Sequence, residues 1–217
     1  MKGLWRRLVV LGFRLLYNEL AFLYDPVSWV ASKGYWRKWQ RTALSYLPVK
    51  GRVLEVGFGP GHLLVDLVET GRRPFGLDLS RAMLRQARRR LQARSLVVPL
   101  CRGHAYTLPF VGEAFDAIVV TFPTPFVYAP AWLREVDRTL TPAGRLVVVE
   151  MATFRRGGPV DRSLEALYRI TGQRAPSPDL AERLRQAGFL AWREASEVDG
   201  TEVGLVLAEK RTRGSLP

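Results

Sequence analysis

The sequence predicts an α/β fold with a doubly wound, mainly parallel sheet, and three observations point to it. From residue 52 onward, short apolar runs alternate with helical stretches, the pattern of successive βαβ units. The first run leads straight into a glycine-rich turn, Gly57-Phe58-Gly59-Pro60-Gly61. The second run ends on a carboxylate, Asp78, about 20 residues after the turn begins.

Taken in order, Arg52 to Val56 reads as a buried strand and His62 to Thr70 as the helix after the turn. Pro74 to Asp78 is the second strand, and Ser80 caps a helix running to Ala93. Leu96 to Cys101 is expected as a third strand and Phe115 to Val120 as a fourth. Ala131 to Leu140 reads as a helix, Pro142-Ala143-Gly144 as a turn and Arg145 to Glu150 as a fifth strand. Asp161 to Thr171 and Pro178 to Ala187 read as helices, the second with proline at an early position. Leu190 to Ser196 and Glu202 to Lys210 form a strand pair around Asp199-Gly200. The organisation expected is a helical extension over residues 1–50, one domain over 51–210, and a loose tail over 211–217.

The N-terminal 23 residues combine Lys2, Arg6 and Arg7 with an apolar stretch, but Arg14 interrupts it and no small-residue cleavage site follows. The uninterrupted apolar run is only Leu8 to Phe13, too short to span a bilayer. Wound as a helix, Leu4, Trp5, Leu8, Leu11, Leu15 and Leu16 share a broad face opposite Lys2, Arg6, Arg7 and Arg14. Such a helix suits a membrane interface, or packs on its own domain over the active site. Residues 24–50 carry Tyr24, Trp29, Tyr35, Trp36 and Trp39 among Lys33, Arg37, Lys38 and Arg41. These aromatics can stack bases, sit at a lipid interface, form a lid or simply pack.

Composition narrows the function classes. With 217 residues, 47% hydrophobic and 24% charged, the chain suits one globular domain with an appendage. The single Cys101 excludes a disulfide framework and a cysteine zinc site. His62 and His104 are the only histidines, and no metal site is expected. The net charge is +13, and only five of the 33 basic residues are lysine. That charge is either a solvated arginine-rich surface or an attraction to anionic partners.

The turn carries the chemistry. Glycines let the backbone approach a ligand and aim the next helix N-terminus at it. The spacing here is G-x-G-x-G, and the dinucleotide fingerprint would need glycine where His62 stands, so an NAD-dependent oxidoreductase is disfavoured. Asp78 at the end of the second strand can accept both hydroxyls of a ribose.

These residues resemble the class I S-adenosylmethionine-dependent methyltransferases. Val53 to Gly61 is similar to their first motif, and Gly76-Leu77-Asp78-Leu79-Ser80 with Met83-Leu84 to the second. His104-Ala105, Leu108-Pro109-Phe110 and Phe115-Asp116 are similar to the adenine-side motif and fourth strand. Leu133 to Leu140, Pro142 to Leu146 and Leu184-Ala187-Gly188-Phe189 are similar to later elements of the small-molecule subgroup, which includes quinone and lipid methyltransferases. The resemblance covers about residues 50–210 and implies a Rossmann-like, seven-stranded sheet with an antiparallel C-terminal strand pair.

It also implies S-adenosylmethionine as cofactor. Gly57, Phe58, Gly59 and Gly61 line it, with Glu55 positioning its amino group; a salt bridge is the competing role for Glu55. Asp78 holds the ribose, Leu79 and Met83 the adenine, and Thr121 and Phe122 border the methyl group. His104 departs from the aspartate common at its position, which shifts the adenine contact toward the Ala105 backbone amide. Tyr24, Phe126 and Tyr128 are candidate acceptor contacts, and no catalytic base stands out.

The expected function is methyl transfer to a small hydrophobic or amphiphilic acceptor, a quinone precursor or lipid, in a cytoplasmic protein peripheral at the inner membrane face. RNA methylation and a non-catalytic cofactor-binding module are the alternatives. Thr121-Phe122-Pro123-Thr124 lacks the motif of the base-directed amino methyltransferases, and no nucleic-acid module is visible.

Overall fold

The computed structural model describes residues 12, 20, 23–154 and 179–212. Two helices open the described chain, α1 (Tyr24–Ser32) and α2 (Trp36–Arg41), and a 3₁₀ turn (Thr42–Tyr46) follows. Lys33 and Gly34, both at positive φ, separate the helices. Next come β1 (Arg52–Val56), α3 (His62–Glu69), β2 (Arg73–Asp78), α4 (Arg81–Gln92), β3 (Leu100–Arg102) and β4 (Phe115–Thr121). A 3₁₀ turn (Pro125–Tyr128) precedes α5 (Pro130–Thr139) and β5 (Leu140–Phe154). The described chain closes with α6 (Leu180–Gln186), β6 (Leu190–Val198) and β7 (Thr201–Glu209).

The seven strands form one sheet in the order β3-β2-β1-β4-β5-β7-β6. β1 to β5 run parallel, and β7 lies antiparallel to both β5 and β6. The chain winds outward from β1 to β3, then returns to β4 on the other side. That reversal opens a crevice at the carboxyl ends of β1 and β4, the place where such sheets take ligands.

Side-chain alternation sends Leu54, Val56, Ile118, Val120, Leu146 and Val148 to one face, under Trp132, Val136 and Leu184 of α5 and α6. Val53, Ala117, Val119, Val147 and Val149 go to the other, under Leu63 and Leu67 of α3 and Trp39 of α2. The helices before β1 thus belong to the core. The Trp39 indole N–H donates to Thr201 Oγ1 at 2.8 Å. The Arg72 guanidinium donates to the carbonyls of Leu44 and Leu47, fastening the 3₁₀ turn to the end of α3.

Several expectations shift. The third strand starts at Leu100 rather than Leu96, because the Leu96 N–H is spent on the Leu91 carbonyl at the end of α4, after Ser95 turns to positive φ. The turn at 142–144 is an excursion inside one long strand. Phe115 pairs with Leu140 and Ala117 with Arg145, so the intervening residues leave the ladder. The hairpin between β6 and β7 turns at Asp199 and Gly200, both at positive φ. Asp179 caps α6 by accepting from the amides of Ala181 and Glu182. The helix expected over 161–171, the tail from 213 and nearly all of residues 1–22 lie outside the described residues.

Candidate active site

The glycine turn sits at the crevice. Gly57, Gly59 and Gly61 all have positive φ (74°, 54° and 80°), a region costly for other residues. A Cβ built on Gly57 or Gly59 would meet nothing within 4 Å. One on Gly61 would lie 2.8 Å from the Ala87 Cβ and 3.1 Å from its Cα. The first two glycines therefore border open space, and the third lets α3 begin hard against α4. Phe58 points the other way. Its ring is buried among Leu64, Val65, Ala87 and Leu91 and lies over Gly76. Its side chain is a footing for the turn.

Asp78 is held in place by its surroundings. One carboxylate oxygen accepts from the Gly59 amide at 2.9 Å and the other from the Ser80 amide at 2.8 Å. Burial pushes its carboxyl above the usual range, offset in part by the N–H groups of Ser80, Gly59 and Leu79. Each oxygen keeps a further lone pair for a hydroxyl donor. Glu55 is different. It is 1% exposed, and neither carboxylate oxygen has a hydrogen-bond partner, so the salt bridge considered for it is absent. Burial, and then Asp78 and Asp66, push its carboxyl well above the usual range. A buried acid without a partner is poised for a cationic ligand.

The N-terminal helices close over this region. Asp25 binds His62 Nε2 at 3.0 Å and the Arg90 guanidinium at 2.6 Å, joining α1 to the first residue of α3 and to α4. Arg90 also donates to the Pro60 carbonyl inside the glycine turn. Burial opposes ionisation of Asp25, yet His62 and Arg90 together hold its carboxyl below the usual range. Tyr24 packs on Ala82 and Met83. Asp66 on α3, 2% exposed, pairs with Arg37 and Arg41 of α2. At the end of β4, Phe122 has φ 50° and its amide donates to the Val149 carbonyl at 2.7 Å. Its ring stacks on Trp36, with centroids 4.2 Å apart. Such a strained non-glycine residue is common at functional sites.

The structure brings together the turn glycines, Glu55, Asp78, Thr121 and Phe122 at the carboxyl edge. Leu79 is exposed there, whereas Met83 is fully buried beneath Tyr24. His104 is exposed; its Nδ1 accepts from the Tyr106 amide and its ring tilts against Tyr106. Ala105 is half-buried against the main core. Phe126 packs edge-on against Trp132, and Tyr128 rests on the same core, so both belong to a different cluster from Tyr24. Phe126 and Tyr128, expected as acceptor contacts, are both partly buried and keep one side against this core. Sequence reasoning missed Asp25, Arg90, Asp66 and Gln40. The one available signal was Gln40, a neutral residue in the basic stretch Trp36–Arg41.

An open cleft lies elsewhere, at the amino edge of the sheet, lined by Ser45 to Pro48, Asp116 and Thr141 to Arg145. The Asp116 carboxylate there accepts from the Arg52 amide, and the cleft lies across the sheet from the glycine turn. Among the described residues, no group of three or more His, Cys, Asp or Glu could hold a metal.

Comparison with known proteins gives this geometry a family. Residues 53–144 match the methyltransferase domain family. The chain is 34% identical over 164 residues to a demethylmenaquinone methyltransferase of Thermus thermophilus, covering 73% of this chain and 72% of that protein. It is 32% identical over 161 residues to a 2-phytyl-1,4-naphthoquinone methyltransferase of Synechococcus elongatus, covering 70% and 68%. The solved structure of the Bacillus subtilis YcgJ protein shares the fold, with a TM-score of 0.61 at 17% identity, covering 80% of this chain and 98% of that one. The open glycine cradle, a carboxylate with free lone pairs for ribose hydroxyls and an unpartnered acid for an ammonium all suit S-adenosylmethionine. The chain belongs to the class I S-adenosylmethionine-dependent methyltransferases.

Proposed function

We propose that this enzyme methylates a ring carbon of a prenylated 1,4-naphthoquinone in its reduced, hydroquinone form. The observation that carries the proposal is the 34% identity over 164 residues with a demethylmenaquinone methyltransferase. The chemistry selects the redox state. The bound cofactor supplies a methyl group that is electrophilic on its sulfonium. A quinone ring is itself electrophilic, whereas a hydroquinone ring carbon is electron-rich enough to attack. The ring carbon would take the methyl carbon, the electron pair of the broken S–C bond would stay on sulfur, and the ring proton would pass to solvent.

In this reading the chain's own residues bind and orient. Gly57 and Gly59 form the cradle, with Gly61 seating α3 against α4; Asp78 takes the ribose hydroxyls, and Leu79, His104 and Ala105 border the adenine, backed by Met83 beneath Tyr24. Glu55 faces the ammonium, and Thr121 and Phe122 border the methyl group. Trp36, stacked on Phe122, forms an aromatic wall that suits a planar bicyclic ring and excludes water. Alignment of the attacking atom supplies much of the acceleration.

The apolar face of α1 supports a lipid-borne acceptor. Leu23, Val27, Trp29 and Val30 are exposed, the last two at 65% each. Leu23, Val27 and Val30 recur at helical spacing, and Lys33, Arg37 and Lys38 follow. Such a surface suits an interface with anionic headgroups. Among the described residues no helix is long and apolar enough to cross a membrane.

The test incubates the full chain with methyl-labelled cofactor and, in separate vessels, vesicles bearing a prenylated naphthohydroquinone, total lipid and RNA. Label in the naphthoquinone fraction is expected. Label confined to RNA, or no label although the cofactor binds, overturns the reading. Vesicle flotation of the full chain against a variant with Val27, Trp29 and Val30 replaced by serine checks the membrane component. Equal, vesicle-independent behaviour of both removes it.

A further inference from the structure

We infer that Gln40, on the helical extension, is a binding residue for the amino-acid arm of S-adenosylmethionine, and that its side-chain amide joins Glu55 in holding the arm's ammonium. The inference rests on that cofactor being the ligand of the crevice. Of the two buried residues of α2, Trp39 is accounted for by the core and by Thr201. Gln40 is not. Its side chain is buried in the protein at 9% exposure, in a helix whose other polar residues are all basic. Its Nε2 donates to Thr121 Oγ1 at 3.0 Å, and its Oε1 has no partner. A buried amide acceptor left without a donor is costly, and an apolar residue of the same size would avoid the cost.

Register places that orphan oxygen. Glu55 of β1 pairs with Val119 of β4, so both point to the same face of the sheet. Two residues on, Thr121 points to that face again, level with Gly57, over which there is open space. Gln40, held on Thr121, therefore reaches the carboxyl edge on the face that Glu55 occupies. The unpartnered atoms of these two residues are Gln40 Oε1, Glu55 Oε1 and Glu55 Oε2. With Glu55 ionised all three are acceptors, and one group carries negative charge. An alkylammonium, with three N–H donors and no acceptor, matches that set. The ribose hydroxyls belong to Asp78, so the ammonium is that of the arm.

Calorimetric titration of the full chain with two ligands tests this. S-adenosylhomocysteine carries the arm. Methylthioadenosine keeps the nucleoside and the thioether and lacks the arm. For Gln40→Leu, S-adenosylhomocysteine affinity is expected to fall about tenfold or more, with methylthioadenosine affinity kept within about twofold. Thr121→Val, which frees the Gln40 amide, is expected to show the same split, and it serves if Gln40→Leu does not fold. Equal loss of both ligands marks a merely structural residue and overturns the inference, as does unchanged S-adenosylhomocysteine binding. If the wild-type chain binds neither ligand, the cofactor assignment itself falls.

Discussion

Two alanine substitutions four residues apart in the glycine turn should separate folding from binding. Gly57 and Gly61 both have positive φ, at 74° and 80°, so alanine at either costs about 1–2 kcal/mol of backbone strain. Only at Gly61 does the new Cβ collide, at 2.8 Å from the Ala87 Cβ and 3.1 Å from its Cα, the latter in the backbone of α4. Overpacking of this kind adds about 1–3 kcal/mol, for a total near 2–5 kcal/mol. In a chain of this size each kcal/mol lowers Tm by about 2–4 °C. Gly61→Ala should therefore melt about 4–20 °C below wild type, and Gly57→Ala only about 2–8 °C below. Binding reverses the order of the two effects. The Gly57→Ala methyl projects into the open space at the turn, so it should weaken S-adenosylhomocysteine about tenfold or more in a protein that still folds. Thermal melts by circular dichroism and calorimetric titration read the two effects. Wild-type affinity in Gly57→Ala, or equal melting of the two variants, refutes the assignment of the space over the turn.

The buried acid Glu55 makes a pH prediction. Its folded carboxyl titrates well above the ordinary 4.5, so the native state holds its proton longer than the unfolded chain and loses stability as pH rises through that value. Glu55→Gln should accordingly be more stable than wild type at neutral pH in urea melts, with the advantage vanishing below the ordinary carboxyl range, while its S-adenosylhomocysteine affinity falls. Asp25 has the opposite sign: held low by His62 and Arg90 against its burial, it stabilises α1 at neutral pH and ceases to as acid protonates it below 3.8. Asp25→Asn should raise hydrogen exchange over residues 24–32 at neutral pH, and unchanged exchange contradicts the contact. Asp66→Asn weakens the pairs with Arg37 and Arg41, whose side chains are about half exposed, and should cost about 1–2 kcal/mol in urea denaturation with faster proteolysis between residues 24 and 50; a wild-type urea midpoint would count against that anchor.

The βαβ order, the turn and Asp78 were legible because they are written in local patterns: apolar period, glycine at a strand end, a carboxylate one unit later. The start of β3 was not, because Leu96 has the apolar look of a strand residue while its N–H is taken by the end of α4. The site's outer parts depend on contacts distant in sequence. Asp25 meets Arg90 across 65 positions, and Gln40 meets Thr121 across 81. Nothing within a short window announces such pairings. The direction of the Phe58 ring was illegible for a related reason: the missing side chain at Gly76 makes room for it in the core. The aromatic-basic stretch before β1 divides the same way, with Trp39 in the core and Trp29 exposed.

Whether the crevice at β1 and β4 holds an adenosyl methyl donor by its sugar is tested most directly by calorimetric titration of the folded full chain with S-adenosylhomocysteine, alongside Asp78→Ala. One site per chain in the wild type, with affinity reduced about tenfold or more in Asp78→Ala, is the predicted result. No binding to the folded wild type at millimolar ligand, or undiminished binding in the variant, would contradict it.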